Sequence, residues 1–196
     1  MDRHDDSGEA VSVPASKYAQ VERERRFLVR EVPRAEPLIR RAITDLYLDG
    51  TRIRLRQSVG IVDGQGEVQR KLTQKLPDVV PVGGRRGTIT TMYLDEAEYQ
   101  RLSGLPGRWL TKQRLSFPPL CVDVFQGPLT GLIIAEVEFS DDEEMLQFVA
   151  PPWCRAEITE HDGLTGGNLA RIAMLEPGDT ARALAELLQT IDPTAL

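Results

Sequence analysis

Apolar and polar residues alternate with a period of two along most of this chain, and that alternation predicts a protein built mainly of strands. Strands are expected over 20–30, 43–48, 52–56, 67–76, 86–93, 109–116, 120–125, 132–139 and 154–159. Turn residues separate them: Pro33 and Pro37, Asp49-Gly50, Val62-Asp63-Gly64-Gln65-Gly66, and Gly127 to Gly131. One helical turn is expected over 37–42. The period lengthens to that of a helix over 95–102, with Asp95 as its cap, and over 140–149, which opens on four consecutive acids. Helices are also expected over 167–175 and 180–191, the second with Leu184, Leu187, Leu188 and Ile191 on one face. Residues 1–17 are polar and aperiodic, which predicts a disordered tail; 18–196 is expected to be a single domain. The stretch 77–84 is expected to be a loop.

The two faces of the strands differ in kind. One carries Ile53, Leu55, Val68, Leu72, Val122, Val124, Val137 and Ile158. The other carries Glu22, Glu24 and Arg26, then Arg52, Arg54 and Arg56, then Lys71, Thr73 and Lys75. Lys112 and Arg114, Asp123, Glu136 and Glu138, and Glu157 and Thr159 complete it. A sheet with one dry and one wet face alternates in this way. An ordinary solvated face mixes its charges, whereas here three arginines share one strand and carboxylate pairs occupy others. Eight basic groups stand against six acidic ones on this face, while the whole chain has net charge -6. A positive face on an acidic protein points to an anionic ligand. Two carboxylates on one strand face, Glu22 and Glu24, make sense together around a hard divalent cation, which prefers oxygen ligands.

About eight antiparallel strands can close into a barrel. The fold expected is α+β: a closed antiparallel eight-stranded barrel with a charged interior forming a tunnel, and helices flanking its apolar outside. That many charges cannot sit in a dry core, so the interior must hold water, ions and ligand. Arginine forks match phosphate oxygens, and a polyphosphate with a divalent metal would satisfy both signs of charge. An internal ion-pair network without a ligand also fits the pattern, at a large desolvation cost.

Composition narrows the partners. The pI near 5.1 argues against nucleic-acid binding through a basic surface. No apolar run is long enough for a membrane span and the N-terminus carries no apolar signal region, so a cytoplasmic protein is expected. Cys121 and Cys154 lack metal or redox spacing, and His4 and His161 are too few for an imidazole site.

In their order the charged strands resemble the CYTH, or triphosphate tunnel metalloenzyme, family. The Glu-x-Glu-x-Lys signature is matched by Glu22, Glu24 and Arg26. There follow Arg54-x-Arg56, Thr73-x-Lys75, Lys112-x-Arg114, Val122-Asp123-Val124-Phe125, Glu136-x-Glu138 and Glu157-x-Thr159, over roughly residues 20 to 175. The resemblance implies a tunnel enzyme hydrolysing inorganic triphosphate or a related triphosphate compound with magnesium or manganese. It implies catalytic roles for Glu22, Glu24, Arg26, Glu136 and Glu138. Arg26, Arg52, Arg54, Arg56, Lys71, Lys75, Lys112 and Arg114 would hold the triphosphate. Glu22, Glu24, Glu136 and Glu138 would ligate the metal, with Asp123 and Glu157 as further candidates. The expected partners are a small-molecule triphosphate or polyphosphate and, as a candidate assembly, a second copy in a homodimer. The chain departs from the family at Thr88 and Thr90, which stand where an acidic pair is expected. That departure leaves a polyphosphate-binding module with weak or lost catalysis as the alternative reading, and adenylate cyclase as a third.

Overall fold

In a computed structural model, residues 17–62, 65–77 and 85–191 are described. All but the last residue of the expected tail over 1–17, most of the loop over 77–84 and the tip of the turn at Asp63-Gly64 lie outside them. Nine strands form one antiparallel sheet: β1 (Ala19–Val29), β2 (Ile39–Leu48), β3 (Ile53–Val62), β4 (Gln65–Pro77), β5 (Arg85–Tyr93), β6 (Gly107–Phe117), β7 (Leu120–Phe125), β8 (Ile133–Glu138) and β9 (Cys154–Glu157). Their order is β5-β4-β3-β2-β6-β7-β8-β1-β9, and β1 also pairs with β5. That last pairing closes the first eight strands into a barrel. β1 holds β8 along one edge over Glu24–Leu28, while the other edge holds β5 over Ala19–Glu24 and β9 from Phe27 to Val29.

Local chemistry explains most boundaries. Gly50 has φ +67, the left-handed conformation that the tight β2–β3 turn needs and that glycine adopts without a side-chain clash. α1 (Glu96–Ser103) opens on a capping box in which the Asp95 side chain accepts from the Glu98 amide and Glu98 accepts from the Asp95 amide. α2 (Asp142–Gln147) is capped by Asp141, and α3 (Gly166–Ile172) and α4 (Pro177–Ile191) follow β9. One expectation fails: 37–42 is not a helical turn. β2 already begins at Ile39, which pairs with Ser116 of β6. Cross-strand pairing over ten residues outweighs the local signal of Pro37. β3 likewise runs six residues beyond the expected Arg56. β9 stops at Glu157, although the Ile158 amide still donates to the Arg26 carbonyl at 2.8 Å.

Among the described residues the apolar core falls in three patches, two outside the barrel and a third, around Leu28, Leu110, Phe125 and Ile134, on the same inward face as Lys112 and Asp123. Leu46 and Leu55 of β2 and β3 pack with Tyr99 of α1. Phe27, Val122, Ala135 and Val137 pack under Met145 of α2. Leu28, Leu110, Phe125 and Ile134 meet Leu169 and Ile172 of α3, with Leu184, Leu187 and Leu188 of α4 behind them. Among the described residues no helix is long and apolar enough to cross a membrane.

Gly107 shows how tightly the β2–β6 pair is joined. A Cβ there would lie 2.5 Å from the Tyr47 carbonyl oxygen and 2.8 Å from a Leu46 methyl. Gly107→Ala is therefore expected to cost about 1–3 kcal/mol, because backbone must move to admit it. Urea denaturation of the two proteins measures this; equal midpoints would show that the strands separate freely there.

Candidate functional site

The strand register brings the charged residues together side by side. Arg56 faces Lys71, Arg54 faces Thr73, Arg114 faces Asp123, Arg26 faces Glu136, and Glu24 faces Glu138. Directly paired residues share a face of a sheet, so these side chains point to one side, the barrel interior. All of them but the buried Asp123 line a cavity of about 720 Å³ that takes in Glu22, Glu24, Arg26, Arg52, Arg54, Arg56, Lys71, Lys75, Lys112, Arg114, Glu136 and Glu138.

Within the cavity most cations are anchored by carboxylates. Asp123 is fully buried; it accepts from Arg114 through both oxygens, Nε at 2.7 Å and Nη2 at 2.6 Å, and also pairs with Lys112. Arg114 also donates to Glu136. Glu136 lies 3.5 Å from the Arg26 Nε, and the Arg26 Nη2 donates to the Leu164 carbonyl at 2.5 Å. Burial alone would raise the pKa of Glu136, but Arg114, Lys112 and Arg26 together hold it well below the usual carboxylate range. Burial pushes the Lys112 amine down, against the pull of Asp123. Lys75 donates to Glu22 at 2.5 Å and lies 3.9 Å from Glu24.

Sequence reasoning missed Asp45. It has no exposed surface, and the Arg56 guanidinium donates to both its oxygens, Nε at 2.6 Å and Nη2 at 2.8 Å. The Arg54 Nε lies 3.7 Å away. The signal was an aspartate in phase with Ile43 and Tyr47, set among the apolar residues of the second half of β2. Burial works to raise the Asp45 pKa, but Arg56 and Arg54 prevail and bring it down to about 2. Next to it, burial and the Asp45 charge push the Tyr47 phenol up to about 12. Tyr47 lines the cavity beside Thr165, the cap of α3, and Gly166 and Gly167 of its first turn. A Cβ on Gly166 would overlap the Tyr47 hydroxyl, so glycine is what lets the two approach.

Two groups of residues stand elsewhere than the sequence suggested. Glu157 pairs in register with Phe27, a residue of the outer apolar patch. There it accepts from Arg25 through both oxygens, at 2.9 and 2.7 Å, away from the cavity. On β5, Gly87, Ile89 and Thr91 face Glu22, Lys75 and Thr73, so these carry the inward phase. Thr73 and Thr91 touch through their hydroxyls at 3.3 Å. Thr88 and Thr90 alternate to the other face; Thr88 still meets the cavity lining and Thr90 does not. No acidic residue takes the inward phase of β5 among the described residues.

The carboxylates suit a hard divalent cation in chemistry. Glu24 and Glu138 are directly opposed like charges, an arrangement that destabilises a strand pair unless a cation lies between them. Glu22 lies two residues along the same face. Burial, with Glu136 and Glu22 adding to it, raises the Glu24 pKa against the effect of Lys75. Oxygen-only donors of this kind suit magnesium or manganese. Among the described residues no group of three such side chains is already gathered as a cage, so a cation would complete its shell with water and ligand oxygens.

Two predictions follow from this geometry. Asp45→Asn removes the counter-charge of buried guanidiniums and is expected to cost about 3 kcal/mol of stability at neutral pH. Because the Asp45 pKa is lowered on folding, its contribution is fully present above its ordinary value of 3.8 and is lost as pH falls toward about 2. The stability difference between wild type and Asp45→Asn, from chemical denaturation across that range, should shrink on acidification; a difference independent of pH would contradict the pairing. Magnesium or manganese at about a hundred times its dissociation constant should stabilise the wild type by roughly 2.7 kcal/mol. Thermal melts should show that gain lost in Glu24→Gln, and a gain that persists would remove Glu24 from the cation site.

A protein of Nitrosomonas europaea named inorganic triphosphatase is 31% identical over 147 residues, covering 70% of this chain and 88% of that protein. A crystal structure of an inorganic triphosphatase and one of a hypothetical protein each align over 76% of this chain, with 24% and 27% identity, 93% and 97% of those chains covered, and a TM-score of 0.49 each. A Pyrococcus horikoshii protein structure aligns over 63% of this chain and 81% of its own, at 19% identity and a TM-score of 0.41. No protein-family profile matches the chain. Nearly one residue in three shared across most of both proteins, in a chain whose charged strands close into a barrel, shows that it belongs to the CYTH, or triphosphate tunnel metalloenzyme, family.

Proposed function

We propose that this protein hydrolyses inorganic triphosphate, or a related triphosphate-containing compound, within the barrel cavity and with a divalent cation. The observation that carries the reading is the segregated wall chemistry. Arginines and lysines from β3, β4 and β6 line the same cavity as the carboxylates of β1 and β8. A short polyanion with an accompanying cation meets both. The 31% identical relative named inorganic triphosphatase supports the substrate class. The cavity is also of the size that small-ligand sites occupy.

The residues divide the work by charge. Arg54, Arg56, Lys112 and Arg114 would donate hydrogen bonds to phosphate oxygens and neutralise charge that builds during transfer. Arg26, fixed by Glu136 and the Leu164 carbonyl, adds a rigid donor. Glu22, Glu24 and Glu138 would hold the cation, with Glu136 already engaged by Arg114 and Arg26. When bound, such a cation supplies Lewis acidity toward phosphate oxygens and makes a water more acidic. His161 lies outside the cavity lining and no described histidine stands within it as a general base. Rate enhancement would therefore rest on positioning and electrostatics, as phosphoryl transfer allows.

One observation favours the second reading, a triphosphate- or polyphosphate-binding module with weak or lost catalysis. The inward phase of β5 carries Gly87, Ile89 and Thr91 where another carboxylate would strengthen cation binding. Phosphate release from inorganic triphosphate, with magnesium or manganese and with chelator as control, separates the two. Cation-dependent release that falls about 100-fold or more in Glu24→Gln and in Arg54→Ala is the expected result. Calorimetric binding without release would establish the module instead.

A further inference from the structure

We propose that Asp45 is a positioning residue that divides labour between two adjacent arginines: it locks Arg56 in place and leaves Arg54 with a free buried donor for a phosphate oxygen. The proposal rests on the reading of the cavity as a triphosphate site.

The geometry is unequal in an informative way. A carboxylate has two oxygens, and Arg56 takes both of them, through Nε at 2.6 Å and Nη2 at 2.8 Å. Arg54 sits two residues away on β3, on the same inward face, yet its Nε is 3.7 Å from the nearer oxygen, beyond hydrogen-bonding distance. That Nε is buried and finds no acceptor. Buried donors are nearly always paired, and leaving one unpaired works against folding. An orphan N–H on a cavity-lining arginine is therefore what a ligand oxygen would satisfy. Both arginines border the cavity and Asp45 does not; it reaches the ligand only through Arg56.

Charge points the same way. One carboxylate beside two guanidiniums leaves an excess positive charge at the β2–β3 wall. On β6, the next strand beyond β2, Arg114 and Lys112 each pair with Asp123, and Arg114 with Glu136 as well. Arg54 on β3, with its carboxylate at 3.7 Å, is more loosely paired than Arg56, Lys112 or Arg114. Without Asp45 the two arginines would repel each other, and the Arg56 fork would lose the plane in which it is held.

The test uses the full chain and inorganic triphosphate as probe. Binding is measured by calorimetry with chelator present, so that only the cation-independent grip is read. Asp45→Asn is expected to weaken binding about tenfold or more, and Arg56→Lys, which keeps the charge but not the fork, by a similar factor. In the Arg56→Lys background, adding Asp45→Asn should change affinity by less than about twofold, because the two act as one unit. In turnover assays the variants should lower kcat/KM by about tenfold or more with KM raised, whereas partial unfolding would lower apparent kcat and leave KM alone. Binding by Asp45→Asn within twofold of wild type, or an undiminished further loss in the Arg56→Lys background, overturns the proposal. If Asp45→Asn does not fold, Arg56→Lys decides alone: wild-type affinity in it overturns the proposal. A wild type that does not bind triphosphate overturns the functional reading and this proposal with it; a wild type that binds, with unaffected variants, overturns only the proposal.

Discussion

The structure depends on one constraint: a guanidinium or amine buried in the barrel wall needs a carboxylate placed beside it. A guanidinium taken from water without a partner costs several kcal/mol, and its attraction to a nearby carboxylate repays that only when hydrogen bonds are well made. Asp45, Asp123 and Glu136 meet the requirement for Arg56, Arg114, Lys112 and Arg26. The strand register is what makes this possible. Pairing β6 with β7 so that Arg114 faces Asp123, and β1 with β8 so that Arg26 faces Glu136, sets opposite charges across a few ångströms. A slip of one residue on any of these strands would turn the charged set outward and the apolar set in. The ion pairs therefore fix register as much as they add stability.

Because the interior is wet, the protein is built inside out. Much of its apolar burial lies between the outer barrel wall and α1 or α2, and a further patch on the inward face is covered by α3 with α4. The helices thus do structural work for the site without supplying its charges. α3 comes nearest to the site, since Gly166, Gly167 and Leu169 reach the cavity beside Tyr47.

Much of this was legible in the sequence because strands announce themselves by a period of two, and a charged face with segregated sign is rare. The residues that escaped did so for identifiable reasons. Asp45 was hidden because Pro37 suggested a helical turn, which cut β2 short and obscured its phase. β5 is polar on both faces, so Thr88 and Thr90 could not be told from Thr91 by alternation; only the pairing of Thr73 with Thr91 settles the phase. Glu157 looked like a continuation of the charged face. Its pairing with Phe27, beside a bulge at Leu28/Val29, sends it outward to Arg25. Pairing partners far away in sequence decide such cases, and a single strand read alone does not contain them.

The double occupancy of β1 has a consequence for how the chain is made. Strands β2 to β5 pair each with its neighbour in sequence, and so do β6 to β8. β1 has no such neighbour. Its first partner begins at residue 85, its second at Ile133 and its third at Cys154. As the chain leaves the ribosome, the strand carrying Glu22, Glu24 and Arg26 emerges first and waits longest. Through that interval the unfinished wall stands open to water, so the charges that will share the interior are desolvated together, at closure, when their partners are already in place.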